Sequence, residues 1–123
     1  MRSVLVVEDE AIIALDLICS IEALGYRVLG PASNSDEARR IARREHPDLV
    51  LMDVTLQGQK DGIDTARAIT EETEALVVFL TALTDEPTRT RAEALNPAAY
   101  LTKPCSVHQM RDAIAQAFAG QAA

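Results

Sequence analysis

Apolar positions along the 123-residue chain fall into two alternating kinds of segment. Ser3–Val7, Tyr26–Leu29, Leu49–Met52, Leu76–Leu80 and Ala98–Leu101 are short, nearly continuous apolar runs, several of them rich in β-branched side chains. Runs of this length predict strands buried on both faces, the pattern of a parallel sheet. Between them apolar residues recur at helical spacing. Glu10–Leu24 aligns Ile13, Leu17, Ile21 and Leu24 and closes on Gly25, a residue suited to the left-handed turn after a helix. Ser35–Glu45 opens on Ser35 as a candidate N-cap, turns Ala38, Ile41 and Ala42 inward, and stops before His46-Pro47, because a residue preceding proline avoids the helical region. Gly62–Thr73 presents Ile63, Ala66 and Ile69. Asp85–Leu95 is polar and weakly amphipathic, with Pro87 in its first turn, where proline is tolerated. Ser106–Ala119 presents Val107, Met110, Ile114 and Phe118.

These are five strands and five helices in strict alternation, numbered β1–β5 and α1–α5 in chain order. Alternation means βαβ crossovers and a parallel sheet with helices on both faces, so the fold class is α/β. A doubly wound five-stranded sheet in the order 2-1-3-4-5, flavodoxin-like, is a common solution, with its switch point between β1 and β3. Ligands of such sheets sit outside the carboxyl ends of the strands there. The chain reads as one domain over 1–123, with no repeats or linker and a loose tail over Gly120-Gln121-Ala122-Ala123.

Composition narrows the function. With 12 Lys+Arg against 19 Asp+Glu the net charge is −7, which repels phosphate backbones and anionic lipid. Nucleic acid and membrane are therefore not expected partners. Two cysteines, Cys19 and Cys105, are too few for a disulfide scaffold and have no zinc-ligand spacing; the first reads as a core residue, the second as a surface one. The N-terminus lacks signal-peptide character, and no apolar run approaches the ~20 residues of a membrane span. A reduced, cytoplasmic, soluble domain is expected.

The chemistry gathers at the strand ends. β1 ends in Val7-Glu8-Asp9-Glu10 and β3 in Met52-Asp53-Val54, so three carboxylates converge at the switch point. Packed carboxylates repel and raise one another's pKa, and a hard cation relieves this; Mg²⁺ suits a site with few carboxylates and retained waters. Asp9 taken alone reads equally well as an N-cap of the next helix. β4 ends in Leu80-Thr81-Ala82, and β5 in Leu101-Thr102-Lys103-Pro104. Lys103, one of only two lysines, can reach into the acidic crevice, and Pro104 is a candidate for a cis peptide bond. Acids, hydroxyl and ammonium at four strand ends describe a site for phosphate and magnesium.

Taken in register, Glu8-Asp9, Asp53, Thr81-Ala82 and Lys103-Pro104 resemble the receiver domain of bacterial two-component response regulators, over Val4 to about Phe118. Asp61-Gly62 and Tyr100 fit the same family pattern. The resemblance implies a single-domain response regulator in which Asp53 accepts a phosphoryl group from a phosphohistidine. Glu8 and Asp9 then match the pair that holds Mg²⁺, with Asp9 a direct ligand and Glu8 acting through water, and Thr55 supplies a backbone carbonyl. Thr81 and Lys103 match the hydroxyl and ammonium that meet the phosphoryl group, and Thr81 with Tyr100 the switch pair. Implied partners are a sensor histidine kinase or histidine phosphotransfer protein, and a downstream protein or second copy at the α4–β5–α5 face. No enzymatic turnover is implied beyond Mg²⁺-dependent self-phosphorylation and autodephosphorylation.

The chain departs from the pattern at Glu8, where Asp is commoner, at Asn96-Pro97 before β5, and at Cys105 after the Lys-Pro pair. The loop Thr55-Leu56-Gln57-Gly58-Gln59-Lys60 lacks the usual proline and looks slightly long. Competing readings are weaker. An aspartate-nucleophile phosphatase or phosphotransferase wants a second aspartate where Thr55 stands. A flavodoxin-like cofactor binder wants a hydroxyl-rich loop where Glu8-Asp9-Glu10 stands. A phosphorylation-independent adaptor needs none of the site residues, and all are present. Arg39, Arg40, Arg43 and Arg44 read as a solvated face of α2, and His46 and His108 as surface residues outside the site.

Overall fold

The structure is a computed structural model that describes residues 1–56 and 61–121. Five parallel strands, β1 (Ser3–Val7), β2 (Arg27–Ala32), β3 (Leu49–Met52), β4 (Leu76–Thr81) and β5 (Ala99–Thr102), stand in the order β2-β1-β3-β4-β5. They alternate with α1 (Ala11–Ala23), α2 (Ser35–Glu45), α3 (Gly62–Glu72), α4 (Glu86–Glu93) and α5 (Val107–Gln121). This is the doubly wound, flavodoxin-like architecture that the alternation predicts.

The strand period of two divides the core into two layers. Val4, Val6, Leu49, Leu51, Val78 and Leu80 point to the side packed by α1 and α5, with Ile21, Met110, Ile114 and Phe118. Leu5, Val7, Val50, Met52, Val77 and Phe79 point to the opposite side, with Ala38 and Ala42 of α2, Ile63, Ala66 and Ile69 of α3 and Ala92 of α4. β1 and β3 are buried along their whole length, which is why their sequences show no alternation.

Differences from the sequence reading have local causes. β2 runs past Leu29 through Gly30-Pro31 to Ala32. It is an edge strand, where a proline costs no ladder bond, and its pairing with β1 shifts register between Leu5 and Val7. Gly30 sits there at φ +94°, and a Cβ would lie 2.9 Å from the Val6 carbonyl oxygen. The peptide bonds before Pro31 and Pro104 are both cis. The N-cap of α2 is Asn34 and not Ser35: Asn34 is extended, and its side chain accepts a hydrogen bond from the Glu37 amide at 2.9 Å. The N-cap position of α1 is Glu10 and not Asp9, and Glu10 makes no side-chain cap bond. Asp85 caps α4 by accepting from the Thr88 amide at 3.1 Å. Asn96 takes the left-handed conformation at φ +52°.

Two side chains lie elsewhere than the periodicity places them. Cys19 is exposed, because the buried face of α1 runs through Ala14 and Ile21. Val107, on the first turn of α5, is exposed, and burial on that helix begins at Met110. Gly120 and Gln121 belong to α5 and not to a loose tail. The loop 57–60, expected to be long, lies outside the described residues, as do residues 122–123.

Candidate functional site

The site forms where the strands of the switch point end. The β1–β3 ladder continues one step beyond the strands, with the Asp53 amide donating to the Val7 carbonyl at 3.1 Å. The Glu8 amide donates to the Ala32 carbonyl at 2.9 Å, and the Lys103 amide to the Thr81 carbonyl at 2.9 Å. Backbone pairing thus fixes the residues that carry Glu8, Asp53 and Lys103. Gly62 fixes the opposite wall. Its amide donates to the Val54 carbonyl at 2.9 Å, and a Cβ there would collide with the Asp53 carbonyl oxygen and with Val54. Only glycine lets α3 start this close to the acidic strand end.

Carboxylate oxygens of Glu8, Asp9 and Asp53 lie within 4.8 Å of one another. Glu8 and Asp53 are buried and Asp9 half-buried. The Lys103 ammonium donates to Glu8 Oε1 at 2.8 Å and to Asp53 Oδ2 at 3.1 Å. The remaining oxygens are also held: Glu8 Oε2 accepts from the Glu10 amide at 3.2 Å, and Asp53 Oδ1 from the Thr55 amide at 3.1 Å. Burial pushes the Glu8 carboxyl above the usual range; hydrogen bonds from Lys103 and Glu10 pull the other way, and the Asp53 charge adds to the rise. For Lys103, burial alone favours the neutral amine, but the bond to Glu8 and the charges of Asp53 and Glu8 outweigh it and lift the ammonium above its ordinary range. Asp61, before α3, is raised mainly by burial, with the charges of Asp64 and Asp9 adding to the rise.

A cleft of about 360 Å³ opens on this cluster, lined by Asp9, Glu10, Asp53, Thr55, Thr81, Ala82, Leu83 and Lys103. Thr81 is buried, and its Oγ1 accepts from the Leu83 amide at 3.2 Å. Leu83 also accepts at its carbonyl from the Tyr100 hydroxyl, at 2.7 Å. One residue therefore joins the hydroxyl at the cleft to the phenol on β5. The sequence reading named Thr81 and Tyr100 but not Leu83, whose part is played by backbone atoms and leaves no trace in residue type. It also missed Arg89 of α4, whose guanidinium carbon stands 4.9 Å from the Tyr100 ring centroid.

Other candidates fall outside the cleft. His46 caps α2 at φ +49°, and His108 is exposed on α5. Arg39 and Arg43 pair with Glu72 of α3, and Arg44 pairs with Glu45 beside it. Cys105 packs toward the α1–α5 layer and lines a groove with Ile13, Asp16 and Leu17. No helix among the described residues is long and apolar enough to cross a membrane.

The donor set suits a hard divalent cation: three carboxylates, all oxygen, converge within reach of one ion. Lys103 supplies the opposing positive charge and a donor for an anion beside it.

Comparison with known proteins agrees with this geometry. The response regulator receiver domain family matches residues 4–115. The transcriptional regulatory protein PdtaR of Mycobacterium tuberculosis is 40% identical over 92% of this chain, which spans 55% of that protein. The phyllosphere-induced regulator PhyR of Methylorubrum extorquens is 34% identical over 93% of the chain, which spans 42% of it. The chain thus spans about half the length of the curated relatives it matches. Among solved structures, the signal receiver domain of a modulated diguanylate cyclase from Desulfovibrio desulfuricans superposes with a TM-score of 0.91 at 36% identity, over 98% of this chain and 96% of that one. Sequence, fold and strand-end cluster lead to one assignment: the chain belongs to the response regulator receiver domain family.

Proposed function

We propose that Asp53 is the phosphoryl acceptor of a two-component relay, with Mg²⁺ as cofactor and a histidine kinase or histidine phosphotransfer protein as donor. The observation that carries this reading is the double tether of Asp53. Thr55 holds Oδ1 and Lys103 holds Oδ2, so the carboxylate is oriented before any donor arrives. In the transfer, one Asp53 oxygen bonds to phosphorus as the phosphorus–nitrogen bond of the phosphohistidine breaks, and the imidazole leaves with the electron pair. Asp9, Asp53 and the Thr55 carbonyl would hold the ion directly and Glu8 would act through water, while Glu8 also anchors the Lys103 ammonium. When bound, Mg²⁺ would supply charge neutralisation at the phosphoryl oxygens. Lys103 neutralises another oxygen, and Thr81 turns its hydroxyl toward the group.

Phosphorylation adds about −1.5 to −2 charge to an already anionic cleft, which recruits Thr81 and Lys103. The change passes through Leu83 and Tyr100 to the α4–β5–α5 face, where a downstream protein or a second copy docks. The setting is cytoplasmic, where such donors are made. A phosphatase reading has no support at Thr55, which stands where a second aspartate would be needed. The test is intact-mass measurement after incubation with a small-molecule phosphodonor or phosphorylated kinase. Wild type gains one phosphoryl group, chelator abolishes the gain, and Asp53→Asn gains none. Labelling that survives in Asp53→Asn overturns the assignment.

A further inference from the structure

Tyr100 is held on three sides. Its hydroxyl is bonded to the Leu83 carbonyl, its ring lies 6.1 Å from the Phe79 ring at a 52° tilt, and the Arg89 guanidinium covers it at 4.9 Å. That distance is within cation–π range. Arg89 does not lie there loosely. One turn further along α4, Glu93 Oε1 accepts from Arg89 Nε at 2.9 Å. Both side chains of this pair are more than half exposed, so the ion pair itself adds little to stability. Its geometric consequence is to aim the planar guanidinium at the ring.

We propose that Arg89 is a positioning residue for the phosphorylation response: aimed by Glu93 and stacked on Tyr100, it holds the ring in its Leu83-bonded position and so biases the unphosphorylated state. This rests on the roles given above to Asp53, Thr81 and Tyr100. When Thr81 turns to the phosphoryl group it must release the Leu83 amide. The Leu83 carbonyl, and with it the phenol, is then free to move. A cation stacked on the ring in one position and not the other shifts the equilibrium by that difference alone. α4 carries the cover and β5 the ring, so the contact bridges the two elements whose shared surface is read.

The chain has no tryptophan and two tyrosines. In a Tyr26→Phe background, Tyr100 is the only strong emitter, and acrylamide quenching reports its exposure directly. The groups facing the phenol are Arg89, Asp85 and Glu93, all of α4 or its cap. Arg89→Ala is expected to raise the quenching constant, and to tighten the apparent affinity for beryllium fluoride at fixed Mg²⁺, by about two- to fivefold, the range a cation–π contact at a partly exposed site supports. Arg89→Lys recovers part of both effects, and Glu93→Gln shifts both in the same direction by a smaller factor. A purely structural role for Arg89 would lower the melting temperature without tightening the mimic. Unchanged quenching in Arg89→Ala, or weaker mimic binding with helix content intact, overturns the proposal. If wild type does not bind the mimic at all, the reading of Asp53 falls and the switch role of Arg89 with it. The quenching arm, measured without the mimic, reports independently whether Arg89 holds the ring.

Discussion

Lys103 reaches Glu8 at 2.8 Å across 95 residues of sequence, and this is a shorter contact than its 3.1 Å to Asp53. The ammonium therefore sits between two of the three carboxylates proposed to hold Mg²⁺. It would repel that cation and has no lone pair to offer it while protonated. Lys103→Ala is expected to keep Mg²⁺ affinity or tighten it by about two- to tenfold, in line with removal of a like charge at intermediate dielectric. The same variant should lose most of its response to phosphorylation. Calorimetric titration with Mg²⁺ checks the first part, and a large loss of affinity would contradict the role.

Much of this site was legible in the chain because strand ends are short-range features. β1 and β3 match their predicted bounds residue for residue, so Glu8, Asp9 and Asp53 could be placed at one crevice from periodicity and topology alone. β2 was legible only as far as Leu29, because Gly30-Pro31 reads as a break unless one knows that the strand lies at an edge. The Lys103–Glu8 bond was not legible: the sequence puts a lysine near acids but does not say which acid it prefers. Cys19 was misplaced because it sits beside the buried stripe of α1, and Val107 because it opens α5, a turn before burial on that face begins at Met110.

Gly62 offers a test of how closely α3 must approach the acidic strand end. A methyl group there collides with the Asp53 carbonyl oxygen and with Val54, both backbone-anchored. Neither can move without disturbing the Asp53 tether to Thr55. Gly62→Ala should cost about 1–3 kcal/mol, the range of overpacking in a filled core. Urea unfolding with unchanged m-value measures it. Stability equal to wild type would mean that α3 can retreat freely.

The two thiols should react at different rates. Cys19 is exposed, whereas Cys105 is half-buried and burial alone pushes its thiol above the ordinary range. The thiolate is the reactive form, so at pH 8 Cys105 is further from its titration midpoint than an ordinary cysteine and gains reactivity only as pH rises toward that higher value. Iodoacetamide followed by peptide mass analysis should modify Cys19 first. Faster labelling of Cys105 would show that its surroundings are open.

The output surface can be located without knowing the partner. Thr81 is buried, and its hydroxyl accepts from the Leu83 amide, whose carbonyl accepts from Tyr100. A rotation of Thr81 toward a phosphoryl group removes the first of these bonds and leaves the second without support. The change must then appear on β5 at Tyr100 and on α4, which packs Ala92 beneath the same ring layer. Amide spectra with and without beryllium fluoride and Mg²⁺ should show shifts running from Asp53 through Thr81, Leu83 and Tyr100 to the outer faces of α4 and α5. Thr81→Ala cannot make the rotation's bond to the phosphoryl group, so its shifts should stay in the loops around Asp53 and Lys103. If wild type shows only those local shifts, or if Thr81→Ala propagates them as far as wild type does, the Leu83 relay does not carry the signal.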